Sequence, residues 1–531
     1  MNNYIDEIPD YIETTTPVED EEKELERLHD FYSVEIDYQK GAIKDIKLDR
    51  LKIINKLRDL GFFRYDMPDG SFRFVRIKDS KITLTNETSI IDAFEDYIID
   101  LPPKKIKFSI KDGEAETTIT GKMIQNVLYR NINTYFNNTI ERLRSKEEIK
   151  IVQDTKTQKY FYFNNTAVEV SNTGIVPVDY SKLEGNIWSS SIIDRDFIYT
   201  ETKGDFETFC EDICSNDPER KKSLMSMLGY LMHDFYEYNL KAILFTDVNK
   251  GDAALDAGRT GKGLIGKALD QMLNSKRSDI KYCSIPAKGL ELDKDTRYSL
   301  ADMSTQLIHL EDVDRRFNFE MLYNDITDGA TIRERFQRKP IIKFVKMMIS
   351  INKTIEISGS STKGRLAIFE LANFYSDSYT PEHKFGHRFF ESDWTDRDWN
   401  NFYSFMCRCS YMFMKHGIIQ AKEINFSNRR LQETLPETFL MWFNELLEPY
   451  AKHHEQHEWG KQFLFNEFIE RYPDFNNNKF RQATLSKWCN TYCSLKSIPC
   501  CSYRSSADMF VIYPDEATSK KAYEQKNKLN D

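Results

Sequence analysis

The most constraining feature of this chain is an apolar stretch, Ala242-Ile243-Leu244-Phe245. A glycine-rich run follows, ending Gly258-Arg259-Thr260-Gly261-Lys262-Gly263, and then the helical pattern Leu264 to Met272. Strand, loop, lysine and helix in that order build a phosphate cradle. Backbone N–H groups of a tight turn and a helix N-terminus face the phosphates, and the lysine adds a point charge. The usual pattern is G-x-x-x-x-G-K-[ST]. Here Asp256 stands at the first glycine and Gly263 at the Mg²⁺-binding hydroxyl. The nucleotide-binding candidates are Gly258, Thr260, Gly261, Lys262 and Gly263. The competing reading is an ordinary glycine-rich turn with a solvated lysine.

Two downstream segments favour the cradle. Leu307-Ile308-His309-Leu310 is a short apolar strand ending in the adjacent acids Glu311 and Asp312. In a nucleotide-hydrolysing sheet one such acid holds Mg²⁺ and the other polarises the attacking water. Lys346 to Ile351 is a second apolar strand and ends at Asn352, an amide suited to touch a γ-phosphate and water. Each signal alone is common. Three in this order imply a mainly parallel α/β sheet whose ligand gathers at the carboxyl ends of its strands.

With these motifs in place, residues 205 to 415 resemble the superfamily-three helicases, AAA+ ring motors of viral and plasmid replication, and most of all the poxvirus and phage primase-helicase branch. Ile326-Thr327-Asp328-Gly329-Ala330-Thr331-Ile332-Arg333 looks like that branch's L-T-G-G-D-x-I turn. The resemblance implies a P-loop ATPase core using ATP and Mg²⁺, with Lys262 in the phosphate loop. Glu311 and Asp312 become the acidic pair, Glu311 the metal ligand, Asn352 the sensor, and Arg365 an arginine finger acting on a neighbouring subunit. The basic stretch Arg333, Arg335, Arg338, Lys339 and Lys343, with Phe336, corresponds to a hairpin that grips single-stranded DNA in the ring channel. Positive side chains there would track phosphates without reading sequence. The family assembles as homo-oligomers, commonly hexamers.

Composition bounds the rest. The chain has 531 residues, 40% of them hydrophobic, and a formal net charge of −10. It is long enough for two to four domains. Any nucleic-acid contact must come from local basic patches. No run of eighteen apolar residues exists, so no membrane span is expected. The first residues are polar and acidic, unlike a secretory signal. Nine cysteines without an export signal suggest free thiols in a reducing cytoplasm, that of a bacterial host on the family resemblance. Cys489, Cys493, Cys500 and Cys501 have poor zinc spacing.

Periodicity divides the chain into an acidic flexible arm (1–40, with a short helix near Glu22 to Tyr32), an N-terminal α+β domain (41–195), helices corresponding to the family's collar (196–240), the ATPase domain (241–425), a C-terminal module (430–515) and a polar tail (516–531). In the N-terminal domain Gly61 to Tyr65 and Phe72 to Ile77 alternate around Asp69-Gly70 and read as a hairpin. Short strands are expected at Ile149 to Ile151, Lys159 to Phe163 and Thr166 to Val170. A DNA-binding or assembly role fits this domain better than a primase, since no paired acidic strand motif is present. The C-terminal module has two helices, a third at Arg481 to Cys489, and two β-prone runs split by Arg504 to Asp508. That is a winged-helix pattern with Arg481, Lys487 and Arg504 toward duplex or origin DNA; a small interaction domain is the alternative. The function expected is an ATP-dependent replicative DNA helicase of a phage or mobile element. The alternative is a non-hydrolysing origin-binding or assembly protein that kept the fold.

Overall fold

The computed structural model describes residues 31–66, 72–110, 113–136, 140–143, 149–237, 240–248, 260–274, 280–287, 297–313, 317–333, 340–352, 362, 364–453, 455–504 and 506–519. The described residues fall into two compact units. One holds the residues up to Val152 with Tyr180–Ser189, and the other holds Gln153–Asp179 with the residues from Ser190 onward.

The first unit is mixed α+β. Its helices Arg50–Asp59, Glu87–Ile99 and Gly121–Arg130 bury Ile53 and Leu57, Ile90, Phe94 and Ile98, and Ile124 and Leu128. This three-to-four-residue spacing puts one apolar stripe on each helix. Asp49 caps the first helix through the N–H groups of Leu51 and Lys52. The expected hairpin strands form at Phe62–Asp66 and Phe72–Lys78, paired antiparallel from Phe62↔Arg76 to Asp66↔Phe72. Their Asp69-Gly70 turn lies outside the described residues, as does most of the acidic arm. Two expectations change here. Tyr32, assigned to a helix end, lies in strand Tyr32–Asp37, which pairs antiparallel with Ala42–Leu48; its alternation of Tyr, Val and Ile with polar residues has period two. Ile151 makes only an isolated bridge to Asn186.

The second unit also claims strands expected in the N-terminal domain. Gln158–Phe163, Ala167–Ser171, Ile175–Val178 and Ile192–Ile193 form one sheet. Phe161, Phe163, Val168 and Val170 of this sheet are buried in the core of the second unit. The Phe163 ring sits 5.1 Å from that of Tyr403. Burial of that face, not chain position, decides the strands' allegiance.

Helices α1 (Asp205–Ile213) and α2 (Pro218–Met232) follow, α2 started by the Asp217 cap with Pro218 in its first turn. Five parallel strands then form the central sheet: β1 (Ala242–Asp247), β2 (Tyr282–Pro286), β3 (Leu307–Glu311), β6 (Lys346–Ile351) and β7 (Leu366–Leu371). Their spatial order is β2-β3-β6-β1-β7. All six residues of β1 and of β6 are buried, as strands covered on both faces require. Helix α3 (Lys262–Leu273) follows β1. A separate antiparallel pair, β4 (Ala330–Ile332) and β5 (Ile341–Lys343), precedes β6. Helix α4 (Asp396–His416) begins with a Thr395–Asp398 capping box and buries Trp399, Phe402, Tyr403 and Phe405.

After α5 (Phe426–Thr434) and α6 (Glu437–Leu446) comes a second core built on Phe439, Trp442, Phe443, Phe468, Leu485 and Phe510. It contains β8 (His457–Gly460), α7 (Lys461–Arg471), α8 (Gln482–Lys496), β9 (Cys500–Arg504) and β10 (Asp508–Ile512), with an antiparallel sheet ordered β8-β10-β9. The sequence patterns did not reveal β8, which is short and half polar. Among the described residues no helix is long and apolar enough to cross a membrane.

Candidate functional site

The carboxyl ends of β3, β6 and β1 are neighbours in the sheet. Thr246 at the end of β1 is level with Ile351 at the end of β6, and Leu310 of β3 with Ile349 of β6. Asp247, Asn352, Glu311 and Asp312 therefore leave the sheet along one edge. Lys262 reaches the same edge as the first residue of α3, preceded by Gly261 at φ +111°. Only glycine suits that position: a Cβ there would lie 2.5 Å from the Phe209 ring, besides adopting a left-handed backbone. At Gly263, by contrast, an added Cβ meets nothing within 4 Å.

Lys262 is buried, and its ammonium pairs with the carboxylate of Asp247, which is fully buried. The Thr260 hydroxyl donates to the other oxygen of Asp247, and Lys262 Nζ lies 3.4 Å from Thr260 Oγ1. Burial holds the Lys262 pKa below the usual lysine range; the charges of Asp247 and Asp312 oppose that and Arg429 reinforces it. A buried ammonium needs a counter-charge. Asp247 supplies it.

The acidic strand end is braced from behind. His309 is buried, and desolvation pushes its pKa down to about 3, so the ring is neutral. His309 Nδ1 lies 2.6 Å from the Tyr282 hydroxyl and Nε2 lies 3.0 Å from Ser350 Oγ, hydrogen-bond distances to both. The 3.4 Å approach of His309 Nδ1 to Glu311 is consequently no ion pair. Ser350 also accepts from the Asp312 N–H at 3.3 Å, and Asp312 adopts a left-handed φ of +50°. Asp is among the few residues that tolerate this conformation. The Glu311 side chain is 42% exposed.

These carboxylates suit Mg²⁺, an ion that keeps several waters and takes one or two carboxylates plus substrate phosphates. Among the described residues no group of three or more His, Cys, Asp and Glu could form a closed cage. Glu311 and Asp312 offer two carboxylates at one strand end; Gly263 offers no oxygen from its side chain.

Arg365 lies elsewhere. It immediately precedes β7, whose first residue Leu366 is level with Ala242 at the start of β1. It sits at the amino edge of the sheet, about 17–20 Å along the strands from Lys262 of the same chain. There its Nε donates to Thr327 Oγ1 at 3.1 Å and its guanidinium lies 5.0 Å from the Tyr323 ring. Arg333 is exposed just after β4. Arg335, Arg338, Lys339 and Phe336, like Asp256 and Gly258, lie outside the described residues. Lys343 is engaged by the Met303 carbonyl.

Two residues at the edge had no signal in the sequence reading. Asp247 is one. Arg429 of α5 is the other: it is buried and donates to Thr246 Oγ1 at 3.3 Å, to the Asp247 carbonyl, and to the Asn352 carbonyl at 3.0 Å. It ties the ends of β1 and β6 together from a helix just past the expected end of the ATPase domain. Glu370 on β7 seats that helix, accepting from the N–H groups of Ile424 and Asn425.

No protein-family model matches the sequence. No curated protein matches it either. Among solved structures, the A-form apo structure of the NrS-1 C terminal region (305–718) superposes with a TM-score of 0.41 at 11% identity, covering 88% of this chain and 100% of that one. A second apo structure of the same region gives a TM-score of 0.40 at 11% identity, with 88% and 99% covered. TM-scores below 0.5 at this identity establish neither a shared fold nor a shared role.

Proposed function

We propose that this chain is an ATP-driven DNA helicase subunit of phage or mobile-element replication. On this reading it has an AAA+-type core, works as a ring of several copies, a hexamer in the simplest case, and moves on single-stranded DNA. The observation that carries the reading is the convergence of Lys262, Asp312 and Asn352 on one edge of a parallel sheet. Asp312 and Asn352 follow the ends of β3 and β6, and Lys262 at the start of α3 pairs with Asp247 at the end of β1, with β6 lying between β1 and β3. Ligands of such sheets bind at that edge.

In this mechanism Lys262 exchanges Asp247 for the β- and γ-phosphates, and the N–H groups at the start of α3 face the same oxygens. Glu311 would hold Mg²⁺, which when bound would supply positive charge against the phosphates. Asp312 orients the attacking water, and Asn352, tied to β1 by Arg429, reports the γ-phosphate to the sheet. Such catalysis is chiefly positioning and charge stabilisation. The place of Arg365 at the opposite edge supports a finger acting on the next subunit and not on its own. The antiparallel pairing of β4 with β5 supports the hairpin reading, in which Arg335, Arg338 and Lys339, outside the described residues, would grip the strand. The order α6, β8, α7, α8, β9, β10, with β10 central in its sheet, supports a winged-helix module. Exposed Arg481 and Lys487 on its third helix side and Arg504 on the wing face duplex DNA.

The test is ATP turnover with Mg²⁺, with and without single-stranded DNA, alongside particle imaging with an ATP analogue. DNA-stimulated turnover and rings support the reading; no turnover under any condition sinks it. Two observations favour a second reading, a non-hydrolysing origin-binding or assembly protein that kept the fold: Gly263 lacks the hydroxyl and Lys262 is already paired with Asp247. Analogue binding without turnover selects it.

A further inference from the structure

The hairpin β4–β5 joins the sheet through one short link, Phe344-Val345, and enters β6 at Lys346. Three contacts clasp this link. The Lys346 ammonium is buried and donates to the Tyr230 carbonyl at 2.7 Å and to the His233 carbonyl. Those two groups belong to the last turn of α2 and its C-cap His233, where the dipole favours a cation; the Tyr230 carbonyl also accepts from the His233 N–H at 3.2 Å. Burial pushes the Lys346 pKa down to about 7, against the pull of the Asp234 and Asp154 carboxylates, and the Tyr230 ring centroid lies 4.3 Å away. The half-exposed Phe344 ring lies 6.1 Å from that of Tyr236. The Lys346 N–H donates to the Gln306 carbonyl at 2.9 Å, and the Gln306 amide is fixed by Asp234 at 2.9 Å. The Tyr236 hydroxyl also donates to Asp234, at 2.8 Å.

A lysine is an odd choice for the first position of a fully buried strand, since packing alone would be served by an apolar residue. Here it joins a helix end to the foot of the basic hairpin. The other end of the same strand is Asn352, at the nucleotide edge. A strand paired on both sides is stiff along its length, so a displacement at Asn352 reaches Lys346 with little loss.

We propose that Lys346, with Phe344, is a positioning device that links the nucleotide edge to the DNA-facing hairpin. It pins the hairpin foot to the end of α2, so that movement of β6 swings the hairpin rather than being absorbed in the link. This rests on the helicase reading above and adds to it the residues that couple its two sites.

The test uses the full chain and two variants, Lys346→Met and Phe344→Ala. The second is half-exposed and keeps the variant set informative should the first fold poorly. Hydrogen exchange is followed at residues 260–265 and at 330–332 with 341–345, with and without Mg²⁺ and a non-hydrolysable ATP analogue. ATP turnover is measured with and without an oligothymidylate. The expected result is protection of 260–265 in all three proteins, a hairpin response in the wild type only, and loss of DNA stimulation in the variants at unchanged basal turnover. Hairpin response and stimulation like wild type in Phe344→Ala overturn the proposal, as does a variant that only melts earlier. No protection of 260–265 in the wild type strikes the nucleotide reading itself, and the coupling with it.

Discussion

Replacing Asp247 by Asn separates the resting site from the loaded one. Asp247 is fully buried and is the counter-charge of Lys262, itself buried. The amide keeps the shape and removes the charge. The lysine then either stays charged without a partner, at about 3–5 kcal/mol, or loses its proton. From an unfolded pKa of ~10.4, losing the proton at pH 8 costs about 3 kcal/mol. The cheaper route sets the ceiling, so the variant loses up to about 3 kcal/mol at pH 8, or roughly 4 °C in the melting of a unit this size. The sign with pH follows. A lysine with a depressed folded pKa costs stability when the unfolded chain holds the proton more tightly. The deficit therefore shrinks as pH rises toward the unfolded lysine value and grows as pH falls. On the proposed reading, the phosphates of an ATP analogue with Mg²⁺ replace the lost carboxylate. The analogue should thus raise the melting temperature of Asp247→Asn more than that of the wild type. Scanning calorimetry or dye-monitored melting at pH 7, 8 and 9.5, with and without analogue, reads both effects. Equal stability of the two apo proteins, or a smaller ligand shift in the variant, would refute Asp247 as the resting counter-charge.

Other outcomes are expected from the same site. Lys262→Ala and Glu311→Gln should each lower ATP turnover by about two orders of magnitude or more in a coupled assay; wild-type-like turnover in both would remove the assignment. Gly263→Ser should keep or raise turnover, because the site has room for the side chain and the hydroxyl can bind Mg²⁺ directly; loss of analogue binding would mean another loop geometry. Arg365→Ala should bind nucleotide and fail to hydrolyse it, and mixing with Lys262→Ala subunits should recover activity; no recovery in demonstrably mixed rings would argue against a finger in trans. Changing Arg335, Arg338 and Lys339 together to Glu should abolish unwinding and flatten the salt dependence of single-strand binding while basal turnover survives; normal unwinding would place the DNA channel elsewhere.

The long apolar runs announce their strands because strands buried on both faces need continuous hydrophobicity, and β1, β3 and β6 lie where those runs are. Lys262, Glu311, Asp312 and Asn352 were legible because each ends or follows such a run. Asp247 was not: its role depends on a contact with Lys262 across a loop of no regular pattern. Arg429 was invisible for a similar reason, since it meets the ends of β1 and β6 from far downstream in sequence. The strands at 158–171 were read correctly as strands and put in the wrong unit, because the partner that buries their face, Tyr403 among others, comes from α4. Four-residue β8, with His457 and Glu458 in it, has too little alternation to see.

The strand order has a further consequence, for synthesis. The two neighbours of β1 are β6 and β7, so both of its edges wait for residues made more than a hundred positions later. At roughly 5–20 residues per second, that leaves Ala242-Ile243-Leu244-Phe245 without its sheet partners for about 5–20 s on the ribosome. An apolar, uncharged stretch with open hydrogen-bonding edges is the kind of segment that pairs with other chains. The nascent chain therefore passes through a window in which chaperone supply, more than the stability of the finished sheet, sets how much of it reaches the folded state.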